Sequence, residues 1–328
     1  MKERTIRWGI LGLGKIARTF IHDARLVADT EVLAVASRSQ EKADAFAAEF
    51  QVERAYGTYE KLMADPDIDA VYIATPHHAH AACAIACLNA GKHVLCEKPM
   101  AVNQSQVRSL IDAAQRNQVF LMEALWTRFN PNIRQILARI QAGELGDLNY
   151  VQADFSFFSQ HSDESRMFNL DLAGGAMLDL GIYPVFLAYL FMGKPESIQA
   201  TAHFHRTGAD AQTAALLHYP TGIATIMCGL RSHAHMRAQL AGTKGSILID
   251  PRWHETCGYT VWNYADDSKT HFQNDLEGLG FTYEIAESNA CIRSGKLESD
   301  YWTHQNSLEL TELLDDILRE IGLVYPFE

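Results

Sequence analysis

Ile6-Arg7-Trp8-Gly9-Ile10-Leu11-Gly12-Leu13-Gly14-Lys15-Ile16-Ala17 decides how this chain is read. A short apolar run breaks into Gly-x-Gly-x-x-Ala, and apolar residues at helical spacing follow at Ile16, Ala17, Phe20, Ile21 and Ala24. The pattern predicts strand, tight turn and helix. In such a unit Gly12 permits the turn, Gly14 lets backbone approach a pyrophosphate, and Ala17 keeps helix and strand close. The anion would rest on the unpaired N–H groups at the positive end of the helix, around Lys15 and Ile16. Glycines at this spacing also serve ordinary turns. The strand before and the helix after favour dinucleotide binding.

Downstream, Glu31 to Ser37 reads as a second buried strand and is followed by a helix to about Phe50. A chain that prefers NAD(H) normally offers Asp or Glu to the ribose 2′-hydroxyl at the end of this strand. Here the residues are Ser37-Arg38-Ser39, with Lys42 one turn on. Two cations and two hydroxyls suit a 2′-phosphate, so NADP(H) is expected over NAD(H). A short helix over 59–63 and a strand over 69–74 lead into Thr75-Pro76-His77-His78-Ala79-His80. Thr75 is placed to cap the next helix, with Pro76 in the turn. His77 and His80 are either ligand contacts or surface residues. Residues 91–99 deliver Glu97 and Lys98 to the same sheet edge, where Pro99 stops the strand and restricts the lysine backbone. A lysine held there can hydrogen-bond a reacting oxygen; the alternative is a surface Glu–Lys pair. A helix over 105–117 and a strand over 119–122 complete a doubly wound parallel sheet, expected to span residues 1–123.

Past Glu123 the period changes from helical to alternating. Residues 149–158, 198–205, 214–219 and 223–230 read as strands, the last two flanking a hairpin turn at Pro220-Thr221-Gly222. Residues 124–328 are therefore expected to form an open, mainly antiparallel sheet covered on one face by helices near 177–191 and 278–293. A final helix with Leu310, Leu313, Leu314, Ile317 and Ile321 is expected to dock back near the first domain. Trp126, Arg128 and Phe129 follow the last parallel strand and suit an aromatic wall with one cation for a sugar or diol. Core packing is the alternative for Phe129. Arg166 is a further substrate candidate.

The 328 residues carry a net charge of −12 without a long basic run, which argues against nucleic acid or an anionic membrane as partner. No apolar run looks like a membrane span of ~20 residues, and the N-terminus reads as a strand rather than a signal peptide. A cytoplasmic protein is expected. The six cysteines, at 83, 87, 96, 228, 257 and 291, are scattered and expected to be reduced. Cys83 and Cys87 at i, i+4 suit a packing face, so no metal site is expected among them and the nearby histidines.

Taken together, Gly12-x-Gly14-x-x-Ala17, Thr75-Pro76-x-x-x-His80, Glu97-Lys98-Pro99 and Gly174-Gly-Ala-Met-Leu-Asp179-Leu-Gly-Ile-Tyr183 resemble the family of glucose–fructose oxidoreductase, inositol dehydrogenase and MocA. Residues 122–130 and 178–183 are most similar to its dimeric dihydrodiol dehydrogenase branch, which includes NADP-dependent D-xylose dehydrogenases. The resemblance implies a dinucleotide in the first domain and a substrate between it and the sheet domain. It implies Lys98 near the nicotinamide, with Glu97 at the cofactor. It also implies a functional acid at Asp179, followed by Tyr183 where other branches have His. A homodimer packed sheet to sheet is implied as well. His77 departs from the Asn of many members.

The residues themselves agree with the second site. Gly174-Gly175 allows close backbone packing before a helix, and Asp179 and Tyr183 at i, i+4 share a helix face. A phenol of ordinary pKa about 10 is a poor base, and a nearby ammonium such as Lys98 would favour its phenolate. Tyr183 would then take the substrate proton, with Lys98 orienting and Asp179 positioning. The alternatives are a structural cap and a core aromatic. The expected activity is NADP(H)-dependent hydride transfer with a secondary alcohol or sugar hemiacetal, an aldose or trans-dihydrodiol. The rival expectation is a nucleotide-sensing regulator of the same fold.

Overall fold

The structure is a computed structural model and describes residues 4–255, 258–273 and 275–327. Cys257 lies outside the described residues. The chain divides into two compact units, Met1–Phe129 with Glu277–Leu308, and Asn130–Leu276 with Glu309–Glu328.

The first unit runs β1 (Ile6–Leu11), α1 (Lys15–Ala24), β2 (Thr30–Ala36), α2 (Gln40–Phe50), β3 (Arg54–Tyr56), α3 (Tyr59–Met63), β4 (Ala70–Ile73), α4 (His77–Asn89), β5 (His93–Glu97), α5 (Gln104–Asn117) and β6 (Leu121–Ala124). Its sheet has the order β3-β2-β1-β4-β5-β6, with every pairing parallel. Strands buried on both faces need continuous apolar runs, as in Ala70-Val-Tyr-Ile73 of β4, all buried. The expected doubly wound sheet is present. Strand β6 lies two residues later than the pattern suggested, so Glu123 falls inside it.

The second unit begins with α6 (Pro131–Gln141) and β7 (Leu148–Ser156). A π-helical turn, Met177–Gly181, then runs directly into α7 (Ile182–Met192). The remaining strands are β8 (Ser197–Phe204), β9 (Asp210–Tyr219), β10 (Gly222–Gly229), β11 (Ala238–Gly242), β12 (Gly245–Ile249), β13 (Tyr259–Asn263) and β14 (Lys269–Phe272). They form a sheet of order β14-β13-β12-β11-β7-β10-β9-β8, antiparallel except at β10–β7. The hairpin turns where expected, with Gly222 opposite Tyr219. A Cβ on Gly222 would stand 1.9 Å from the Asn149 carbonyl oxygen, so only glycine fits. The alternation in β7 holds through Val151 and Ala153, both buried, and lapses at Phe155, which is half-buried.

Two expectations are corrected here. The amphipathic stretch near 278–293, assigned above to the sheet domain, is α8 (Thr282–Arg293) and belongs to the first unit. Trp8 Nε1 donates to Asn289 Oδ1 at 3.0 Å, and the buried Asp23 carboxylate accepts from the amides of Leu279 and Phe281 at 2.8–2.9 Å. Amphipathic periodicity says that a face is buried, not against what. The second concerns membrane length. Leu170–Met192 is long and apolar enough to cross a membrane, and 78% of that stretch is buried inside the protein, as in a core helix.

The last helix, α9 (His304–Glu320), crosses the division. In its first turn His304 Nε2 meets the Leu121 carbonyl at 2.9 Å and the Ser307 hydroxyl donates to Glu123 at 2.7 Å. From Glu309 onward it belongs to the second unit, where Glu309 accepts from the Tyr189 hydroxyl at 2.5 Å.

Candidate active site

In the first unit, three turns at the carboxyl ends of the adjacent strands β1, β4 and β5 carry the expected residues. Gly12 has φ +88°, and a Cβ there would lie 2.6 Å from the Ala74 carbonyl oxygen. The glycine is thus required by close approach of the β1 and β4 turns. Gly14 differs: its Cβ direction is open, with nothing within 4 Å. Gly14 also occupies the N-cap of α1, which has no side-chain cap, so the first amides of the helix lack that partner. Lys15 and Ile16 are exposed, while Ala17 is buried against the sheet. An uncapped helix start facing open space fits a pyrophosphate.

At the end of β2, Ser37 is half-buried and Arg38 exposed. Ser39 caps α2, its hydroxyl oxygen accepting from the Lys42 amide at 3.3 Å, which leaves the exposed Lys42 side chain on the first helical turn. Burial pushes the Tyr59 phenol and the Cys83 thiol up in pKa, and the Arg38 guanidinium opposes both shifts. Arg38 is therefore close to α3 and α4.

The β4–α4 turn departs from expectation. Thr75 does not cap α4; Pro76 holds the N-cap position, and no side chain caps the helix. His80 is neither on the surface nor available to a ligand. It is buried, with Nδ1 2.8 Å from the Pro99 carbonyl oxygen and Nε2 2.7 Å from that of Thr75. It braces the Thr75 turn against the Lys98-Pro99 turn, whose connecting peptide is cis. Burial holds its imidazole down at about 4, against the two carbonyls. His77 is buried beside it, the rings 5.6 Å apart.

Glu97 is buried and accepts from the Tyr72 hydroxyl, while Lys98 is half-buried at the sheet edge. The Lys98 charge reaches both His80 and Glu123, lowering the pKa of each. Glu123 was not singled out from sequence. It is fully buried and accepts from the Met100 amide at 2.9 Å, the Ser307 hydroxyl at 2.7 Å and Trp302 Nε1 at 3.2 Å. These bonds tie the segment after Pro99 to the start of α9. Burial raises the Glu123 pKa against those bonds. Glu284, in the first turn of α8, is buried with neither carboxyl oxygen hydrogen-bonded. Burial raises its pKa well above the usual range, reinforced by Glu97 and Asp23.

Trp126, Arg128 and Phe129 lie in a 3₁₀ turn after β6. Trp126 is half-buried and stacked on Phe281 at 5.0 Å. Arg128 is buried, its guanidinium 5.6 Å from the Tyr301 ring centroid. Phe129 is a core residue, 2% exposed, so of its two readings the structure keeps core packing. Phe281 and Tyr301 come from distant sequence, and no local pattern announces them.

In the second unit Asp179 lies in the π-helical turn and Tyr183 at the start of α7. The turn is wider than an α-helical one by one residue and hands the chain directly to α7. Asp179 is buried and pairs with Arg166 Nη1 at 3.2 Å. Arg166, expected as a substrate contact, is half-exposed and is the partner of the acid. The Tyr183 ring is buried against the pair formed by Phe155 and His254, at 5.4 and 5.3 Å from them, and Phe155 and His254 stack on each other at 4.0 Å. His254 is buried, and its Nε2 lies 3.6 Å from Glu255. Burial alone would raise the Glu255 pKa, yet Arg252 and His254 draw it down to about 2. The carboxylate is thus ionised beside the imidazole. His254 was missed because a lone histidine between two strands has no sequence signal.

Comparison with known proteins follows the same division. Residues 6–125 match an oxidoreductase family with an NAD-binding Rossmann fold, and residues 133–248 match the GFO/IDH/MocA C-terminal domain. The trans-1,2-dihydrobenzene-1,2-diol dehydrogenase of Bos taurus is 36% identical over 334 residues, covering 98% of each chain. A 3-ketoreductase of Actinomadura kijaniata, solved with TDP-benzene and NADP, superposes with TM-score 0.84 at 25% identity over 98% of this chain and 99% of that one. The aldose-aldose oxidoreductase of Caulobacter crescentus shares the fold, with TM-score 0.88 at 24% identity over 97% of each chain.

Proposed function

The chain belongs to the glucose–fructose oxidoreductase, inositol dehydrogenase and MocA family of pyridine-nucleotide oxidoreductases, and from that premise we propose an NADP(H)-dependent dehydrogenase of a secondary alcohol or sugar hemiacetal. The substrate is an aldose such as D-xylose or a trans-dihydrodiol. The observation that carries this reading is the convergence of the Gly12, Thr75 and Lys98 turns on one sheet edge, with His80 bracing two of them.

The uncapped start of α1 at Gly14, with Lys15 and Ile16, holds the pyrophosphate. Ser37, Arg38 and Lys42 take the 2′-phosphate, supported by the absence of a carboxylate at 37–39. Thr75, His77 and Glu97 border the same cofactor, Glu97 through its backbone. When bound, the nicotinamide supplies the acceptor for a hydride. In the oxidising direction that hydride would come from the substrate C–H bond, with its electron pair. The hydroxyl O–H bond also breaks, its electrons form the carbonyl, and its proton passes to the Tyr183 phenolate oxygen. The Lys98 ammonium would hydrogen-bond the reacting oxygen. Asp179, fixed by Arg166, positions the substrate. Trp126 provides an apolar wall.

We assign the protein to the cytoplasm, a reading supported by the free thiols of Cys83, Cys87, Cys96, Cys228 and Cys291. A homodimer is supported by the open sheet face, where Leu216, Ile223, Met227 and Leu248 remain 39–41% exposed. The decisive experiment measures NADP+ and NAD+ reduction against aldoses, polyols and dihydrodiols. Wild type turns over one of these classes with NADP+, and Lys98→Met lowers kcat by about 10²–10³-fold with unchanged cofactor affinity. Tight cofactor binding without turnover of any of them overturns the proposed substrate class.

A further inference from the structure

The π-helical turn that carries Asp179 begins without a cap of its own. Its N-cap residue is Ala176, which has no side-chain acceptor. The acceptor comes instead from the first residue of β9. Asp210 Oδ2 accepts from the Met177 amide at 2.8 Å and from the Thr213 hydroxyl at 2.7 Å. Asp210 is wholly buried, and its other oxygen, Oδ1, has no hydrogen-bond partner. That oxygen lies where a side chain on Gly175 would be: a Cβ there would stand 2.2 Å from it. Gly175 also has φ +142°, outside the comfortable range of other residues. Gly175 and Asp210 are thus two halves of one device.

We propose that Asp210 is the positioning residue of the active-site turn: its carboxylate pins the first amide of the turn and so fixes the direction in which Asp179 and Tyr183 are presented. Two features separate this from an ordinary core contact. A carboxylate is costly to bury, and an Asn or Ser would supply the same acceptor without charge. A negative charge at the start of a helix is also favoured by the helix dipole, which ties the ionisation of Asp210 to the geometry of the turn. Burial raises the Asp210 pKa to about 7, against the bonds from the Thr213 hydroxyl and the Met177 amide. The titratable groups facing it are the Cys228 thiol of β10, itself pushed well up by burial, and the Tyr325 hydroxyl, which lies beside Gly175 and donates to the Gly174 carbonyl at 3.2 Å. Above neutrality the carboxylate grips the turn. Below it, the protonated group holds the amide more weakly.

The inference rests on the assignment of Asp179 and Tyr183 to the reaction, so it is tested both with and without turnover. Asp210→Ala removes the acceptor and is expected to lower kcat by about 100-fold, the cost of misplacing reacting groups by about an ångström. The dissociation constant for NADP(H) stays unchanged. Asp210→Asn keeps one acceptor oxygen and restores kcat to within about tenfold of wild type. It also removes the fall in kcat below about pH 7. Independently of activity, amide hydrogen exchange in the peptide spanning 176–184 accelerates in Asp210→Ala and much less in Asp210→Asn, with the other peptides unchanged. Exchange that quickens throughout the chain makes Asp210 a core residue only and overturns the inference. So does an unaltered peptide, or an Asp210→Asn enzyme that keeps the acid limb. If no substrate turns over while exchange behaves as stated, the functional reading fails and the positioning inference stands.

Discussion

Arg38 illustrates how much rests on a single side chain when no backbone bond can replace it. Its guanidinium is exposed at the end of β2 and, in the proposed reading, supplies the charge that distinguishes a 2′-phosphate from a hydroxyl. Charge-assisted hydrogen bonds contribute about 1.5–3 kcal/mol. Arg38→Ala is therefore expected to raise KM for NADP+ by roughly 10- to 100-fold and leave KM for NAD+ nearly unchanged in parallel steady-state assays. His80 is the contrasting case, a residue whose role lies in what it excludes. Its imidazole is held near pKa 4 in the fold and titrates at about 6.5 when unfolded. Between those values the unfolded chain binds more protons, so stability is complete above about pH 6.5 and falls as the pH drops toward 4. The loss approaches about 3 kcal/mol. Urea midpoints measured across that range should show the decline, and His80→Gln should flatten it. Residues of this kind divide what was legible in the sequence from what was not. Lys98 and Tyr183 stood out because motifs surround them. Asp210, Glu123 and Glu284 did not, because a buried carboxyl and a solvated one are spelled alike.

Among the elements, β1 and α1 were legible because glycine spacing encodes a turn that few other residues tolerate. Gly12→Ala would put a methyl 2.6 Å from the Ala74 carbonyl at φ +88°. It is expected to cost about 1–3 kcal/mol of stability and to abolish the rise in melting temperature that NADP(H) gives wild type. Strand β3 was not legible: Arg54-Ala-Tyr56 is too short to alternate, and tertiary bonds hold it. Arg54 Nη1 reaches both oxygens of Asp65 at 2.8 and 3.0 Å, and the Tyr56 hydroxyl reaches the same carboxylate at 2.8 Å. The π-helical turn escaped for a different reason. Met177-Leu-Asp-Leu-Gly181 is apolar enough to satisfy any helical period, and the extra residue per turn comes from packing. A Cβ on Gly181 would stand 2.5 Å from Met177 Sδ and 2.9 Å from Cys228 Sγ, so a larger residue there would force these side chains to move where the turn meets β10.

For the whole molecule, composition and the change of period at Glu123 were enough to expect two domains with two kinds of sheet, and the sheets are as expected. Which segments complete each unit was not accessible, because a buried helical face has no address written on it. The open sheet gives a further prediction. Leu216, Met227 and Leu248 share one face through the paired residues Thr225, Gln152 and Gln239. Leu216 and Met227 lie on neighbouring strands of that face, beside Ala214, and exposed apolar side chains grouped in this way suit an association site. In the proposed dimer, Leu216→Asp with Met227→Asp should halve the mass measured by light scattering and leave cofactor binding intact. An unchanged mass would count against that face. The closure of the first unit has another consequence. Trp8, in the first strand, finds its hydrogen-bond partner in Asn289, and Asp23 finds the amides it holds at Leu279 and Phe281. During synthesis the nucleotide-binding unit therefore emerges first and is finished almost last. For the time the ribosome takes to add some 150 residues, at about 5–20 per second, Trp8 and Asp23 wait without their partners. A nascent chain arrested at residue 129 would lack the bonds that Asn289, Leu279 and Phe281 make to Trp8 and Asp23 in the finished unit.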